Sequence, residues 1–384
     1  MQKIKNFLKV TKFGKKIRKE KWQRRVRNSM LSKREIKEVR KKPENLQVII
    51  KKRLDDLPNQ GRDLIESLDN IIDNSKLNNL CYEDKKELKE DMLKWYFIYG
   101  YTFNEYISYK FFEKRNEERL EFLSDRDIIL ICYEYNDIED MSIISNKSKT
   151  YEKFKKYFKR DVISINAKTE FIEVESFFNK HRKFIKKNIF ESCGRGVEIL
   201  DLDVENKSIE ELFTEFKSDD NLILEELVTQ TDDLAKFNPS SVNTLRCITF
   251  NTNNGIKTPF FFMRFGRKGK SIDNGAAGGL IVEVNSDNGT LGEATDEYGN
   301  RFKYHPDSKL NFEGFRIPDW DEAIEICKDI SSQIPTVSII GWDLAHTKDG
   351  WVIIEGNSMT EIIGVQSTKL KGIRTEIEKL IKNM

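Results

Sequence analysis

The apolar positions of this chain change period along its length. From about residue 45 to 125 they recur at helical spacing. Leu64, Leu68, Ile71 and Ile72 form one stripe, and Leu88, Met92, Trp95, Tyr96 and Ile98 form another. Tyr99, Tyr101, Phe103, Tyr106 and Tyr109 crowd the next segment, and an aromatic stripe of this kind reads as core rather than cofactor box. A helix is predicted over 151–159, ending near Arg160. The pattern then turns to strands: a short one carrying Lys186 and Lys187, another over 197–200, and a buried one over 222–228 that ends in acids. Residues 239–250 begin with turn formers and become a strand, 259–265 give a second, and 285–304 read as a turn-rich β excursion. A helix over 321–330 leads to two β-branched, apolar strands around the turn Lys348-Asp349-Gly350. Helices first and mixed elements afterwards predict an α+β protein.

Upstream, Ile4, Phe7, Leu8, Phe13, Ile17, Trp22, Val26 and Met30 lie at loosely helical spacing among lysines and arginines, and Pro43 interrupts the pattern. Charge sharpens this picture. Residues 1–53 hold 21 basic and 4 acidic residues, a local +17, while the remainder holds 45 basic and 60 acidic, a local −15. Such an arm suits an anionic partner: a basic amphipathic helix on an anionic membrane surface, nucleic acid, or simply a solvated tail. The acidic remainder argues against a large nucleic-acid surface. At 384 residues, two or three subdomains are expected. No run of about 18 apolar residues occurs, and no apolar signal-peptide core. Five scattered cysteines fit a reducing cytoplasm rather than a disulfide framework.

Candidate chemistry concentrates in the last hairpin. With a three-residue turn, Thr347 faces Trp351 and Asp343 therefore faces Glu355, with Asn357 on the same sheet face as Glu355. Opposed carboxylates among apolar neighbours repel, and a divalent cation between them removes the conflict; Asp, Glu and Asn oxygens are the hard ligands Mg²⁺ prefers. The alternative is a hydrated loop-end pair. Arg246 and Arg264 each fall in a buried-looking strand, where an unpaired guanidinium is costly. Facing phosphate or carboxylate explains them, and a structural ion pair is the alternative. Lys186 and Lys187 precede a loop containing Gly194 and Gly196, which lets backbone N–H groups approach phosphate; as a plain hairpin the same residues need no ligand. It is not the Walker sequence. A second glycine-rich loop carries Asp273, Asn274, Gly278 and Gly279.

Gly341-Trp-Asp343 followed by Glu355-Gly-Asn357 resembles the metal-binding end of the ATP-grasp fold. Ser241-Val-Asn-Thr-Leu-Arg246, Arg264-Phe-Gly266, Asp273-Asn followed by Gly278-Gly279, and His305-Pro306 resemble one branch, the sugar-transfer-associated ATP-grasp proteins. The likeness spans roughly 90–384 and is strongest over 222–366.

The resemblance implies ATP clamped between two α+β halves. It places Lys147 and Lys186 on the phosphates, with Lys187 as the neighbouring choice, because a proline commonly follows this lysine and Lys187 stands there instead. Residues 222–228 become the hinge, whose backbone, including that of Val228, meets adenine while Glu225 or Glu226 holds the ribose. Arg264 and Arg246 stabilise the transferring phosphoryl group, the 273–279 loop and His305 line the acceptor side, and Asp343, Glu355 and Asn357 hold Mg²⁺. The implied activity is ligation of a carboxylate, through an acyl phosphate, to an amine or similar nucleophile in cell-surface polysaccharide or glycoconjugate synthesis. This is compatible with a cytoplasmic protein peripheral to the inner face of the membrane. Phosphotransfer to a sugar or other hydroxyl, or a nucleotide-responsive binding protein, are the rivals. The expected organisation is a basic arm (1–53), a helical region (54–140), a lid (141–221) and a catalytic core (222–384).

Overall fold

The computed structural model of the protein describes residues 16–17, 19–21, 30–56, 58–191, 196–219, 221–267, 269 and 278–384. Most of the basic arm (including Ile4, Phe7, Leu8, Phe13, Trp22 and Val26), Gly194, Asp273 and Asn274 lie outside the described residues. Among the described residues, no helix is long and apolar enough to cross a membrane. The fold is α+β, as the pattern predicts.

The helical region starts earlier than expected. Helix Lys33–Lys41 opens on a capping box: the Ser32 hydroxyl accepts from the Glu35 N–H, and the Glu35 carboxylate accepts from the Ser32 N–H at 2.7 Å. Arg53, on helix Asn45–Asp56, pairs with the same Glu35 at 2.7 Å. Leu31, Val39 and Ile50 join the buried cluster that holds Ile71, Met92, Trp95 and Tyr101. Residues 31–53 therefore belong to the helical body and not to a detached arm, and Pro43 sits in the break between the two helices, as predicted. The aromatic stripe is core: Trp95, Tyr101, Tyr106, Tyr109 and Phe111 are buried, with the Arg119 guanidinium 5.3 Å from the Trp95 ring and 2.7 Å from Asp91.

A small antiparallel sheet follows, made of β1 (Val162–Ile165), β2 (Lys183–Asn188), β3 (Val197–Asp201) and β4 (Leu222–Glu226), in the order β1-β4-β2-β3. One face packs Phe184, Leu200, Leu222 and Leu224 against helices Phe171–Lys180 and Ile209–Lys217. Two expected boundaries move. Residues 222–226 are an inner strand of this sheet, so the small unit ends near 227 rather than at 221. Helix Lys147–Phe158 puts Tyr151, Phe154 and Phe158 into the core of the large sheet, so the small unit begins near 161 rather than at 141.

The large sheet has seven antiparallel strands in the order β11-β10-β5-β6-β7-β8-β9: β5 (Thr244–Thr252), β6 (Gly255–Phe265), β7 (Leu280–Val284), β8 (Leu291–Thr295), β9 (Arg301–Phe302), β10 (Ile339–Thr347) and β11 (Gly350–Asn357). Alternation splits its faces. Leu245, Cys247, Met263, Trp342 and Ile353 pack toward helix Trp320–Ser332, while Ile248, Phe250, Phe260, Phe262 and Ile339 pack toward helices Asp125–Tyr135, Ile363–Lys369 and Arg374–Ile381. Its two tightest hairpins share one device. In Thr252-Asn-Asn-Gly255 and Thr347-Lys-Asp-Gly350 the threonine hydroxyl donates to the glycine carbonyl at 2.8 and 2.9 Å, and the glycines sit at φ +86° and +84°.

Candidate functional site

The side-chain alternation that fills the second face of the large sheet with apolar residues also carries its polar end. Arg246 shares that face with Ile248, Arg264 with Phe262, and Asp343 with Ile339. In register, Arg246 of β5 lies opposite Asp343 of β10, which lies opposite Glu355 of β11. The row is thus cation, carboxylate, carboxylate. The hairpin reaches this register by a different route from the one predicted. Its turn has two residues, so Thr347 pairs with Gly350 and Leu344 with Ile353; a bulge at Ile354 then brings Asp343 opposite Glu355. Asn357 follows, with its amide nitrogen 3.4 Å from Asp343.

Asp343 is saturated by guanidinium. Arg246 is bidentate to it, through Nε and through Nη2 at 2.8 Å, and Arg264 Nη2 donates to the same Oδ1 that Arg246 Nε uses. Both guanidiniums lie about 6 Å from the Phe262 ring. Burial pushes the Asp343 carboxyl up, but the two arginines outweigh it and hold the pKa well below the usual range. Glu355 moves the other way, raised by burial and then by the charge of Asp343. The two arginines predicted to face phosphate therefore lie in the alternative arrangement, an ion pair with Asp343. Two carboxylates and an amide oxygen at one hairpin end are still a donor set that fits a hard divalent cation.

Across from this row stands the small sheet. Lys187, not Lys186, points toward the cleft. Adjacent residues of a strand face opposite sides, and Lys186 goes to the helix-covered face, where it lies 5.4 Å from the Phe216 ring and pairs with Glu198 at 2.7 Å. Lys187 is buried and donates to Glu225 at 3.0 Å; Arg160 pairs with the same carboxylate at 2.8 Å. Burial raises the Glu225 pKa, the Lys187 and Arg160 cations lower it more, and it settles at about 2. Glu225 is thereby committed to an ion-pair cluster rather than free for a ribose. Lys147, in the first turn of its helix, donates from its backbone to Ile189 at 3.3 Å and from Nζ to the Glu191 carbonyl; burial lowers its pKa.

Between these groups lies a cavity of ≈ 210 Å³, lined among others by Lys147, Phe190, Glu225, Ile354, Glu355 and Asn357. A second, of ≈ 240 Å³, lies beside the end of β4 at Glu226, Leu227 and Val228, and Phe158 borders both. Glu226 accepts from the Asp161 N–H at 2.9 Å and completes a group with Asp161 and His181 whose ligand atoms lie within 4.8 Å of one another. The Lys180 ammonium, 3.7 Å from Asp161, already supplies a cation there.

His305 is structural. It is fully buried, its Nδ1 accepts from the Asp307 and Ser308 N–H groups at 3.2 and 3.3 Å, and its Nε2 is therefore the donor to the Gly266 carbonyl at 2.8 Å. Arg267 donates to the Gly278 carbonyl, joining the two ends of the second glycine-rich loop; Gly279 is buried beside it. Gly196 sits at φ +63° against the Glu191 side chain. Sequence reasoning gave no role to Arg160, whose only signal is a cation at a helix end. It also missed Asn136, a fully buried amide that bonds both backbone groups of Ile339 and the carbonyl of Ser358, just past the site.

Residues 131–382 match the family described as sugar-transfer-associated ATP-grasp. No curated protein matches. Among solved structures the chain is similar to the ATP-grasp ligase PsnB complexed with a minimal precursor, at 13% identity over 65% of this chain and 63% of that one, TM-score 0.38. It is similar to N5-carboxyaminoimidazole synthase from Aspergillus clavatus in complex with ADP and 5-aminoimidazole ribonucleotide, at 12% identity over 69% and 59%, TM-score 0.42. The corresponding synthetase from Staphylococcus aureus complexed with ADP gives 13% identity over 69% and 59%, TM-score 0.41. The chain spans about three fifths of the length of these proteins.

Proposed function

Since the chain belongs to the sugar-transfer-associated ATP-grasp family, we propose that it is an ATP- and Mg²⁺-dependent ligase that activates a carboxylate as an acyl phosphate and joins it to an amine or similar nucleophile. The observation that carries this reading is the convergence of Arg246, Arg264, Asp343, Glu355 and Asn357 at one end of the large sheet, with Lys147 lining the same cavity as Glu355 and Asn357, and Lys187 paired with Glu225 of its wall.

In this reading Lys187 and Lys147 receive the polyphosphate, and the backbone of residues 226–228 meets the adenine from the second cavity. Arg264 faces the phosphoryl group in flight, where a preplaced cation acts on charge that develops during transfer. Asp343, Glu355 and Asn357 would hold Mg²⁺, which supplies neutralisation of phosphate charge when bound. The donor carboxylate attacks the γ-phosphorus and ADP leaves with the bridging oxygen. The acceptor then attacks the acyl carbon and inorganic phosphate leaves. No side chain need become a covalent nucleophile.

The acceptor class we assign is a cell-surface polysaccharide or glycoconjugate precursor, and the basic residues ahead of the helical body, 1–29, would hold the protein peripherally at the inner face of an anionic membrane. Nucleic acid fits less well, given the −15 of the remaining chain.

The test supplies ATP, Mg²⁺, a panel of amino acids and cell-envelope precursors, with and without hydroxylamine. ADP release that depends on a carboxylate, with a hydroxamate in the trapped sample, is expected. ADP release that needs only a hydroxyl compound, with a phosphorylated product by mass spectrometry, replaces the ligase with a phosphotransferase. Binding of ATP with no turnover on any panel member favours a nucleotide-responsive binding protein.

A further inference from the structure

Asp343 has more donors around it than a carboxylate beside a metal site needs. Its Oδ1 accepts from Arg246 Nε and Arg264 Nη2, and its Oδ2 accepts from Arg246 Nη2 at 2.8 Å, with the Asn357 amide at 3.4 Å. The two arginines are held differently. Arg246 lies in register with Asp343, meets it with two nitrogens, reaches Thr360 Oγ1 with Nη1 at 3.4 Å, and is 5% exposed. Its stem is fixed against Gly341, where a Cβ would come within 3.2 Å of Arg246 Cδ. Arg264 stands one strand farther out, opposite Thr244, and reaches Asp343 on the diagonal with one nitrogen.

Charge balance adds the second constraint. Arg246, Arg264, Asp343 and Glu355, fully ionised, sum to zero. A bare divalent cation would leave two positive charges uncompensated in a poorly solvated place. A nucleotide polyphosphate brings the missing negative charge.

We propose that Arg264 holds the place of the metal on Asp343, so that a divalent cation gains that carboxylate oxygen only when a nucleotide polyphosphate arrives to receive the Arg264 guanidinium. Arg264 is thereby a positioning residue that couples metal entry to nucleotide entry, while Arg246 stays on Asp343 throughout. This rests on reading Asp343, Glu355 and Asn357 as the metal end of a nucleotide site.

The experiment uses the full chain, Mn²⁺ as a paramagnetic probe read by electron paramagnetic resonance, and AMP-PNP as a non-hydrolysed nucleotide. The wild-type chain should bind Mn²⁺ at least about tenfold more weakly alone than with AMP-PNP. Arg264→Gln should bind Mn²⁺ alone at least about tenfold more tightly than wild type, and Arg264→Lys, which keeps the charge, should restore weak binding. Equal Mn²⁺ affinity of wild type with and without AMP-PNP overturns the proposal without any variant, and so does an Arg264→Gln chain that melts like wild type and binds Mn²⁺ no better. Failure of wild type to bind Mn²⁺ and AMP-PNP together overturns the site reading itself.

Discussion

Asp343 faces Glu355 only because Ile354 is bulged out of the β11 ladder; the register of the turn alone would set Asp343 opposite Ile354. The extra residue moves one carboxylate into line with the other and turns the Ile354 side chain to the wall of the cavity that Lys147 and Glu355 line. The two carboxylates then have unequal partners. Asp343 balances two guanidiniums, whereas Glu355 is raised by burial and by Asp343.

That inequality separates two isosteric variants. Asp343→Asn leaves two guanidiniums without their shared counter-charge and should lower stability by about 3–5 kcal/mol, the cost of breaking a buried pair from one side. Glu355→Gln removes a repelled charge and should unfold no earlier than wild type, yet weaken Mg²⁺-dependent ATP binding by about tenfold or more. Thermal unfolding and calorimetric titration of Mg-ATP check both; equal melting of the two variants would contradict the ion-pair assignment.

Lys187 and Lys186 should differ in the order their orientations dictate. Lys187→Ala should weaken ATP binding strongly, and it also leaves Glu225 with Arg160 as its remaining cation among the ion pairs described. Lys186→Ala loses a pair with the exposed Glu198 and should change stability by about 0–1 kcal/mol with ATP affinity near wild type. Parallel nucleotide titrations of the two variants decide it, and the reverse order would place the phosphate contact on the other lysine.

A buried acid pair gives the fold a pH dependence. The Asp125 N–H donates to Glu105 at 2.6 Å. Burial and the charge of Asp125 push Glu105 up to about 8, and burial and the charge of Glu361 push Asp125 up to about 7. The folded chain therefore holds protons that the unfolded chain has already released. Stability from these groups is full below about pH 4 and is lost as pH rises through 7 to 8. The thermal midpoint should fall between pH 5 and 8, and Glu105→Gln should flatten that fall even though it lowers the midpoint at pH 5. An unaltered slope in Glu105→Gln would remove Glu105 as its source.

Truncation should show where the basic arm ends. Leu31 and Val39 are buried in the helical body, so a chain lacking residues 1–40 should lose stability, whereas one lacking 1–29 should keep its fold and Mg-ATP binding. Residues 1–29 still hold twelve of the 21 basic residues and one of the four acids of the first 53. Each basic side chain near an anionic bilayer contributes about 1 kcal/mol, so the full chain should cosediment with anionic vesicles at low salt and the 30–384 chain far less. Indifference of the full chain to such vesicles, with salt-sensitive binding to RNA or DNA, would transfer the arm to nucleic acid.

Much of this was legible in the sequence. The strand pattern located β5, β6 and the β10–β11 hairpin but not β7, and the Asp343–Glu355 opposition followed from turn chemistry, although through a three-residue turn that the chain does not make. A bulge has no composition of its own, so the two-residue turn and the Ile354 insertion were invisible. The side of the strand on which Lys186 falls depends on where the covering helices lie, a tertiary fact. Residues 222–226 read as the opening of the large unit because an apolar run carries no mark of which sheet it joins. The partner of Arg246 and Arg264 was left between phosphate and carboxylate, since both satisfy a guanidinium equally well.

Arg160 touches both sheets with one planar group. Its Nε and Nη2 meet Glu225 on β4 at 3.2 and 2.8 Å, and its Nη1 meets the Ile353 carbonyl on β11 at 2.6 Å, one residue before the bulge. Such a link behaves as a pivot with a short radius. A swing of the small sheet about it would scarcely alter distances near Glu225 and would move the outer strand β3 most, as the end of a lever. Spin labels on β3 and on the large sheet would therefore report such a swing, and labels beside Arg160 would stay almost silent.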